Sequence, residues 1–283
     1  MSIARTPFRI EPRPGHVIRG DLWSPPDSGE SDTAVVICHG FKGFKDWGFF
    51  PYLSSRIAAR TSLPTVSFNF SGSGVGDDLE TFSELDRFGH NTFTDEVMDL
   101  SAVLAGLTDG SLGEVGLHPI RRFGLFGHSR GGASVVITAA EREDVTAIAT
   151  WAAISSVERY EQAYAEPLER DGMVTIHNAR TGQDMPLYRD ILDDIRANRD
   201  SLNVLGAAAR LRIPFLILHG TEDESVPSSA ARELIEAAGN RGRLEWIEGG
   251  SHTMNSAHPF PGPNPTLDEA VRLTADHFAE HLT

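Results

Sequence analysis

The sequence predicts an α/β protein with a mostly parallel central sheet flanked by helices. Six short apolar runs, bounded by glycine or polar residues, have the length and composition of strands buried on both faces. Longer segments between most of them carry apolar residues at the three-to-four spacing of a helix face. Strand and helix patterns that alternate in this way indicate a parallel sheet with helices on both faces.

The predicted strands begin with a hairpin at one edge of the sheet. Its strands, roughly residues 8–11 and 17–23, have no helix between them and are therefore expected to be antiparallel. The six buried strands are Thr33–Cys38, Leu63–Phe70, Arg122–Phe126, Val145–Trp151, Pro214–Leu218 and Arg243–Ile247.

Three helices are predicted from apolar spacing, over residues 48–60, residues 94–107 and the C-terminal segment. The last of these is expected to begin at a capping box, in which Thr266 and Glu269 satisfy free N–H groups of the first turn. A fourth apolar run, Ala133–Ala140, is compatible with a helix.

Residues 156–212 interrupt this alternation, because they are too many for a simple crossover between two strands. Two alternating stretches, Met173–Asn178 and Gln183–Leu187, are separated by the turn-like residues 179–182 and predict a hairpin. A helical stripe follows over residues 187–195. We predict a small cap over 156–212, inserted into a core domain formed by 1–155 and 213–283, rather than a disordered excursion.

Composition excludes several classes of protein. With 25 Lys+Arg and 40 Asp+Glu the net charge is 25 − 40 = −15, which argues against nucleic acid and anionic membranes as partners. The single cysteine, Cys38, rules out an intramolecular disulfide framework. The N-terminal segment lacks the apolar run of a secretory signal and no stretch could span a membrane, so the expected compartment is the cytoplasm. The oligomeric state is left open.

The strongest motif is Gly127-His128-Ser129-Arg130-Gly131-Gly132, which directly follows a predicted strand and precedes a helix-compatible run. A serine on a sharp strand-to-helix turn needs neighbours without Cβ atoms, which explains glycine two residues before and two after it. Such a turn exposes the Ser129 hydroxyl as a nucleophile and directs the N–H of Arg130 toward the same space.

A serine nucleophile requires a histidine base and a carboxylate that orients it. Catalytic side chains in parallel sheets follow the carboxyl ends of strands. Among the 11 histidines, His252 follows the last predicted strand and Asp223 follows the one before. Ser129, Asp223 and His252 then stand in the chain order that hydrolases on this type of sheet use.

Competitors for these roles remain in both loops. His258 competes with His252, and Glu222 and Glu224 compete with Asp223. The remaining histidines near strand ends, His39, His128 and His219, are expected to brace loops or to pack rather than to act as the base.

The loop after the first buried strand is expected to supply a second oxyanion donor. His39-Gly40-Phe41 allows a turn from which the Phe41 N–H can face Ser129, beside the N–H of Arg130.

Signals for a cofactor or a metal are weak, and neither is predicted. The stretch Gly72–Asp77 imitates a dinucleotide-binding loop, but Asp77 occupies the position of its last glycine. His277 and His281 could bind a metal from one helix face, yet no third ligand is nearby and a solvated face is the preferred interpretation.

These motifs together resemble the α/β-hydrolase superfamily over residues 8–282. The resemblance rests on His39–Phe41, Gly127–Gly132, the stretch 219–227 that contains Asp223, and Gly249–His252. Residues 39–47 and the insert are most similar to the branch of cinnamoyl (feruloyl) esterases related to dienelactone hydrolase. Dienelactone hydrolases proper use a cysteine nucleophile, where this chain has Ser129. In the esterases of this branch the insert covers the acyl pocket.

The resemblance and the motifs predict a serine hydrolase that cleaves small-molecule carboxylic esters through an acyl-enzyme, without cofactor or metal. The insert is expected to form one wall of the pocket, with four candidate lining residues, Trp151, Met173, Ile176 and Tyr188. Three alternatives stay open: an amidase or aminopeptidase with the same triad, an acyltransferase, and a catalytically silent binding protein.

Only two of the 25 basic residues are lysines, Lys42 and Lys45, and both lie beside the proposed oxyanion turn. The hypothesis is that one of them adds positive potential at the mouth of the site or anchors the loop to an acidic neighbour. Solvated charges on a loop are the alternative.

Overall fold

The computed structural model describes residues 3–26, 28–112, 117–178 and 181–283. Ten strands form in these residues: β1 (Ala4–Arg13), β2 (His16–Ser24), β3 (Thr33–Cys38), β4 (Thr65–Asn69), β5 (Arg122–His128), β6 (Val145–Trp151), β7 (Met173–Asn178), β8 (Gln183–Tyr188), β9 (Phe215–Gly220) and β10 (Gly242–Ile247). Eight of them form one sheet in the order β1-β2-β4-β3-β5-β6-β9-β10, and β7 pairs only with β8.

The main sheet is parallel from β4 to β10 and antiparallel at the edge formed by β1 and β2. The nine helices of the described residues are α1 (Phe50–Thr61), α2 (Leu85–His90), α3 (Phe93–Asp109), α4 (Arg130–Ala140), α5 (Arg159–Asp171), α6 (Asp190–Ala197), α7 (Val204–Arg210), α8 (Ser228–Ala238) and α9 (Pro265–Leu282). The predicted hairpin, the six predicted strands and the predicted helices at α1, α3, α4 and α9 are all present. Burial was predicted wrongly for the last strand, because β10 lies at the edge of the sheet and is mostly half-buried or exposed.

The sheet has a hydrophobic core on each face, as strand β3 illustrates. Ala34, Val36 and Cys38 belong to one cluster, which includes side chains of α3 and α4. Val35 and Ile37 belong to the other, which includes side chains of α1 and α9. Because successive side chains of a strand point to opposite faces, a strand buried on both sides is apolar throughout. The predicted fold class, a mostly parallel sheet between two helical layers, is confirmed.

The start of α9 differs from the prediction. The N-cap is Asn264, whose Oδ1 accepts a hydrogen bond from the Leu267 N–H at 3.0 Å, and Pro265 occupies the first helical position. Thr266 lies inside the first turn and donates its hydroxyl to Asn264 Oδ1. A proline at this position fits the helix start because the missing N–H would have no intrahelical acceptor.

Residues 156–212, the predicted cap, contain α5, the β7–β8 hairpin, α6 and α7. Residues 179 and 180 of the predicted turn lie outside the described part of the chain. The hairpin and α6 match the predicted pattern, whereas α5 and α7 were not predicted. Strand β8 packs against α2, and α7 packs against α4 and α8.

A side chain of this segment completes the N-terminus of α3. Asp194 on α6 accepts hydrogen bonds from the Phe93 and Thr94 N–H groups at 3.0 and 3.1 Å, and from the Thr94 hydroxyl. Thr92, the N-cap, accepts the next N–H, that of Asp95, through its own hydroxyl. The free N–H groups of the first turn of α3 are therefore satisfied partly from outside the helix.

His277 on α9 corrects another expectation, because it lies against the sheet and not on a solvated face. It is 4% exposed, and its Nε2 lies 3.0 Å from the Ile148 carbonyl of β6, to which it donates. Burial, together with the neighbouring His281, lowers the pKa of His277 to about 3.

This burial makes stability depend on pH. The unfolded histidine has a pKa of ~6.5, so protons bind the unfolded chain first as the pH falls. The contribution of neutral His277 to the unfolding free energy is complete above the pKa of the unfolded histidine. As the pH falls from there toward the pKa of the folded protein, this contribution is lost by up to ~1.4 kcal/mol per pH unit. We expect His277→Gln, whose amide can donate in place of Nε2, to flatten the loss in urea unfolding between about pH 7 and pH 5. The slope is reduced and not abolished, because burial also lowers the pKa of His39 to about 4.

The matched control is His118→Gln, at an exposed position. This control should show the same pH dependence of the unfolding free energy as the wild type. If His277→Gln also shows the wild-type dependence, the buried ring of His277 is not its source.

Among the helices of the described residues, none is both long and apolar enough to cross a membrane.

Candidate active site

Ser129 occupies a strained turn between β5 and α4. Its backbone has φ 55° and ψ −118°, a region that a side chain other than glycine rarely adopts. The glycines of the motif are required sterically: a Cβ on Gly127 would lie 2.4 Å from the Gly131 carbonyl oxygen, and one on Gly131 would lie 2.2 Å from that of His39. The sequence motif therefore forms the predicted strand–turn–helix geometry.

His252 and Asp223 are in direct contact. The distance from His252 Nδ1 to Asp223 Oδ2 is 2.9 Å, and Asp223 Oδ1 accepts the N–H groups of Ser225 and Val226 at 2.8 and 2.9 Å. Burial alone would raise the pKa of Asp223, but the hydrogen bond and charge of His252 and these two N–H groups hold it below its usual value. A carboxylate can only accept here, so Nδ1 carries the proton and Nε2 is left as an acceptor.

Two further histidines hold the loops that carry this pair. His128 Nε2 lies 2.9 Å from the carbonyl oxygen of His252, which ties the turn beside Ser129 to the histidine loop. His219 Nε2 lies 3.0 Å from the Val226 carbonyl oxygen and 3.5 Å from Asp223 Oδ2. Both occupy the bracing positions that the sequence predicts for them.

The competing candidates lie elsewhere. His258 Nδ1 accepts the Gly48 N–H at 3.1 Å, and its ring packs against Phe44. His39 is buried, with Nδ1 2.9 Å from the Gly40 carbonyl oxygen and Nε2 accepting the Phe70 N–H at 3.2 Å. Within the described residues, the carboxylate hydrogen-bonded to His252 is that of Asp223 and not those of Glu222 or Glu224.

Both proposed oxyanion donors border the turn of Ser129. Arg130 is the first residue of α4, where an N–H has no acceptor within the helix. The turn that carries Phe41 touches the elbow closely, because a Cβ on Gly40 would lie 3.0 Å from the Cβ of Ser129. Only glycine at position 40 permits this approach.

A cavity of about 630 Å³ opens over Ser129 and His252. From the core, its lining includes Phe41, Lys42, Ile154, Ser225 and Val226. From the predicted cap, α5 contributes Arg159, Tyr160, Gln162, Ala163 and Tyr164, and β7 contributes Ile176 and Asn178.

Of the four predicted pocket residues, only Ile176 lies in this lining. Trp151 is fully buried on the opposite face of the sheet, where its Nε1–H donates to Thr274 Oγ1 at 2.8 Å. Met173 is 42% exposed at the far end of β7. Tyr188 stacks on His90 of α2, with ring centroids 4.2 Å apart. These three assignments were wrong, because the direction of each side chain depends on packing that the sequence does not specify.

The side chain of Arg130 is a feature that the sequence analysis missed. It is fully buried, its Nε lies 2.7 Å from Glu96 Oε1, and its guanidinium lies over the rings of Phe93 and Tyr160 at 4.1 and 5.3 Å. Glu96 is also bound by Ser134 Oγ at 2.9 Å. Burial raises the pKa of Glu96, and the charge of Arg130 opposes that rise. A buried ion pair therefore lies beneath the cavity wall.

The two lysines have different roles. Lys45 is buried and forms ion pairs with Asp21, at 2.5 Å, and with Asp46, so it anchors the loop to acidic neighbours. Lys42 has φ 56°, lines the cavity, and places Nζ 3.5 Å from the carbonyl oxygen of His177 on β7. The anchoring alternative of the sequence hypothesis thus holds for Lys45, and the effect of Lys42 on the potential at the site stays a prediction.

Helix α5 is the largest part of the site that was not predicted. Tyr160, Tyr164 and Leu168 form a stripe at a spacing of four residues that could have indicated it. Pro167 inside the helix and the surrounding charged residues obscure this signal.

Comparison with known families places most of the chain in one of them. The model of a family described as the alpha/beta hydrolase family matches residues 35–261. None of the curated proteins compared with the sequence matches it significantly.

Solved structures share the fold at low sequence identity. The esterase domain of a Rhodothermus marinus protein is 18% identical, with a TM-score of 0.67 over 100% of both chains. Est1E from Butyrivibrio proteoclasticus with bound ferulic acid is 19% identical, with a TM-score of 0.69 over 97% of this chain and 98% of that one. A puromycin-hydrolyzing peptidase from Mycobacterium tuberculosis is 18% identical, with a TM-score of 0.70 over 99% of this chain and 39% of its own. At these identities the likeness establishes the fold.

Proposed function

Since the chain belongs to the alpha/beta hydrolase family, we propose that it is a serine hydrolase that cleaves carboxylic esters through an acyl-enzyme. Membership of the family supports hydrolysis as the general activity. The observation that carries the finer proposal is the 2.9 Å contact between His252 Nδ1 and Asp223 Oδ2, beside a cavity that also contains the strained Ser129.

The proposed reaction begins at the Ser129 hydroxyl. His252 Nε2 takes its proton as Oγ attacks the acyl carbon, and the ester carbonyl oxygen becomes an oxyanion. Asp223 stabilises the imidazolium that forms at His252 and keeps its tautomer fixed. The N–H groups of Phe41 and Arg130 bind the oxyanion, and each such donor is worth ~3 kcal/mol in the transition state.

The second half of the reaction releases both products. The tetrahedral intermediate collapses, the bond to the leaving oxygen breaks, and His252 gives its proton to the departing alcohol. A water molecule then loses a proton to His252 and attacks the acyl-enzyme, which releases the acid and restores Ser129. Every reacting group in these proposed steps belongs to the protein, to the substrate or to water.

The lining of the cavity favours an ester over a peptide with a free amino terminus. A peptidase of that kind would need carboxylates to hold the substrate ammonium group. Among the described residues that line the cavity, none is an Asp or a Glu. The neighbours named above include both an esterase domain and a peptidase, so the fold alone does not discriminate.

Covalent labelling tests the proposal. A fluorophosphonate probe phosphonylates an activated serine, and we expect mass spectrometry to locate it on Ser129 in the native protein and not after heat denaturation. Hydrolysis of p-nitrophenyl butyrate should exceed that of butyryl p-nitroanilide, the matched amide. A native protein that is not labelled would refute the serine mechanism, and faster amide turnover would refute the ester preference.

A further inference from the structure

The charge of the cavity is opposite to that of the whole chain. The net charge is −15, yet the charged side chains among the described lining residues are Lys42 and Arg159, and no carboxylate lies among them. The described lining of this cavity therefore has a local excess of positive charge in an acidic protein. It raises the local concentration of anions near Ser129.

Lys42 lines the cavity beside the proposed oxyanion turn. It follows Phe41, the proposed oxyanion donor, and its Nζ donates to the His177 carbonyl oxygen at 3.5 Å. This contact places the ammonium group between the oxyanion turn and strand β7.

Arg159 stands on a different wall, at the first turn of α5. Its Nη2 donates to the carbonyl oxygen of Ser225 at 3.0 Å, two residues beyond Asp223. Within the described part of the chain, Arg159 forms no ion pair with a carboxylate. Its guanidinium therefore faces the cavity with a net charge that a neutral carbonyl does not offset.

The acidic neighbours of Arg159 are engaged by other cations. Glu158 pairs with Arg199 at 2.5 Å, and Glu161 pairs with Arg196 at 2.7 Å and with Arg199 at 3.1 Å. The pair of Glu161 with Arg196 joins α5 to α6. The two carboxylates closest to Arg159 in sequence are thus paired with other arginines.

From this arrangement we propose that the substrate is an ester that carries a carboxylate, which Lys42 and Arg159 bind while the ester carbonyl lies at Ser129. This inference rests on the proposed ester hydrolysis and adds a substrate class to it. Two cations in a partly enclosed, apolar-walled cavity attract an anion more strongly than they would on open surface, because the effective dielectric constant is lower there. The carboxylate belongs to the acyl part or to the alcohol part of the ester.

Two matched substrate pairs test the charge preference of the wild type. For the acyl part, the mono-p-nitrophenyl ester of glutaric acid is compared with p-nitrophenyl pentanoate, which lacks the charge. For the alcohol part, the acetate ester of meta-hydroxybenzoate is compared with that of its methyl ester. We expect kcat/KM to be about tenfold higher for the charged member of one pair, with a preference that shrinks at high salt. Equal or lower kcat/KM for the charged member of both pairs would overturn the inference.

Variants assign the preference to the two residues. Lys42→Met and Arg159→Met should each lower the charged-to-neutral ratio of kcat/KM by roughly five- to tenfold, as expected for one partly desolvated charge pair. The control is Arg170→Met, on an exposed part of α5, which removes the same charge and should keep the wild-type ratio. A ratio that is constant across Lys42→Met and Arg159→Met would also overturn the inference, whatever the absolute rates.

Binding without turnover separates this inference from the proposed reaction. Calorimetry with glutarate should show binding to the wild type and weaker binding to Arg159→Met. Equal binding to both proteins, or none to the wild type, counts against the anion site. Failure to hydrolyse any of the esters, with glutarate binding intact, would instead refute ester hydrolysis alone.

Discussion

Replacing Ser129 by alanine should lower kcat for a short p-nitrophenyl ester by ~10⁴-fold or more, because His252 then has no hydroxyl to activate. The variant removes a single oxygen at the turn between β5 and α4 and leaves the backbone environment unchanged. We expect its thermal unfolding to lie within a few degrees of the wild type. Initial rates at saturating substrate, measured beside circular dichroism, give both results.

The control for this experiment is Ser55→Ala on α1, which also removes one serine hydroxyl but far from the cavity. It should retain wild-type turnover, since the Ser55 hydroxyl donates to the Tyr52 carbonyl of its own helix and does not line the cavity. Turnover near the wild-type level in a folded Ser129→Ala protein would disprove the mechanism.

The largest effect on stability is expected from Glu96→Ala. This change removes the carboxylate that is paired with the buried Arg130 guanidinium, and breaking a buried pair in this way costs ~3–5 kcal/mol of unfolding free energy. Urea denaturation measures the loss. The matched control is Glu141→Ala, because Glu141 pairs with Arg210 at the surface, where such a pair contributes ~0–1 kcal/mol.

A double variant tests the cause. Arg130→Met combined with Glu96→Leu removes both charges and fills the space with apolar side chains, so it should recover much of the stability lost in Glu96→Ala. It should also keep ester turnover, because the proposed oxyanion donor at this position is the backbone N–H. If Glu96→Ala costs no more than Glu141→Ala, the pair does not stabilise the wall of the cavity.

The parts of the site that could be predicted from the sequence are those with a local steric or topological cause. Glycines around Ser129 are needed because a Cβ would meet backbone atoms at 2.2 to 2.4 Å, and this requirement is visible as spacing. Asp223 and His252 follow adjacent parallel strands, β9 and β10, whose carboxyl ends meet at one edge of the sheet. The positions of Asp223 and His252 after these two predicted strands were therefore enough to predict that the two side chains lie close together.

The parts that could not be predicted depend on tertiary packing. Alternation along β6 puts Ala149 and Trp151 on one face of the sheet, but nothing in the strand says which face the site occupies. The same uncertainty applies to Met173 and Tyr188 on the hairpin. Arg130 was identified only through its backbone, because its carboxylate partner, Glu96, lies far away in the chain.

The hydrogen bonds of Asp194 make α6 and the start of α3 depend on each other. If α6 moved outward as a lid, two backbone N–H groups of α3 and the Thr94 hydroxyl would lose their acceptor at once. The start of α3 also carries Phe93, which packs against Arg130. Lifting α6 would thus disturb the support of the turn that holds Ser129. We therefore expect α6 to stay fixed as part of the frame while substrate enters and leaves the cavity.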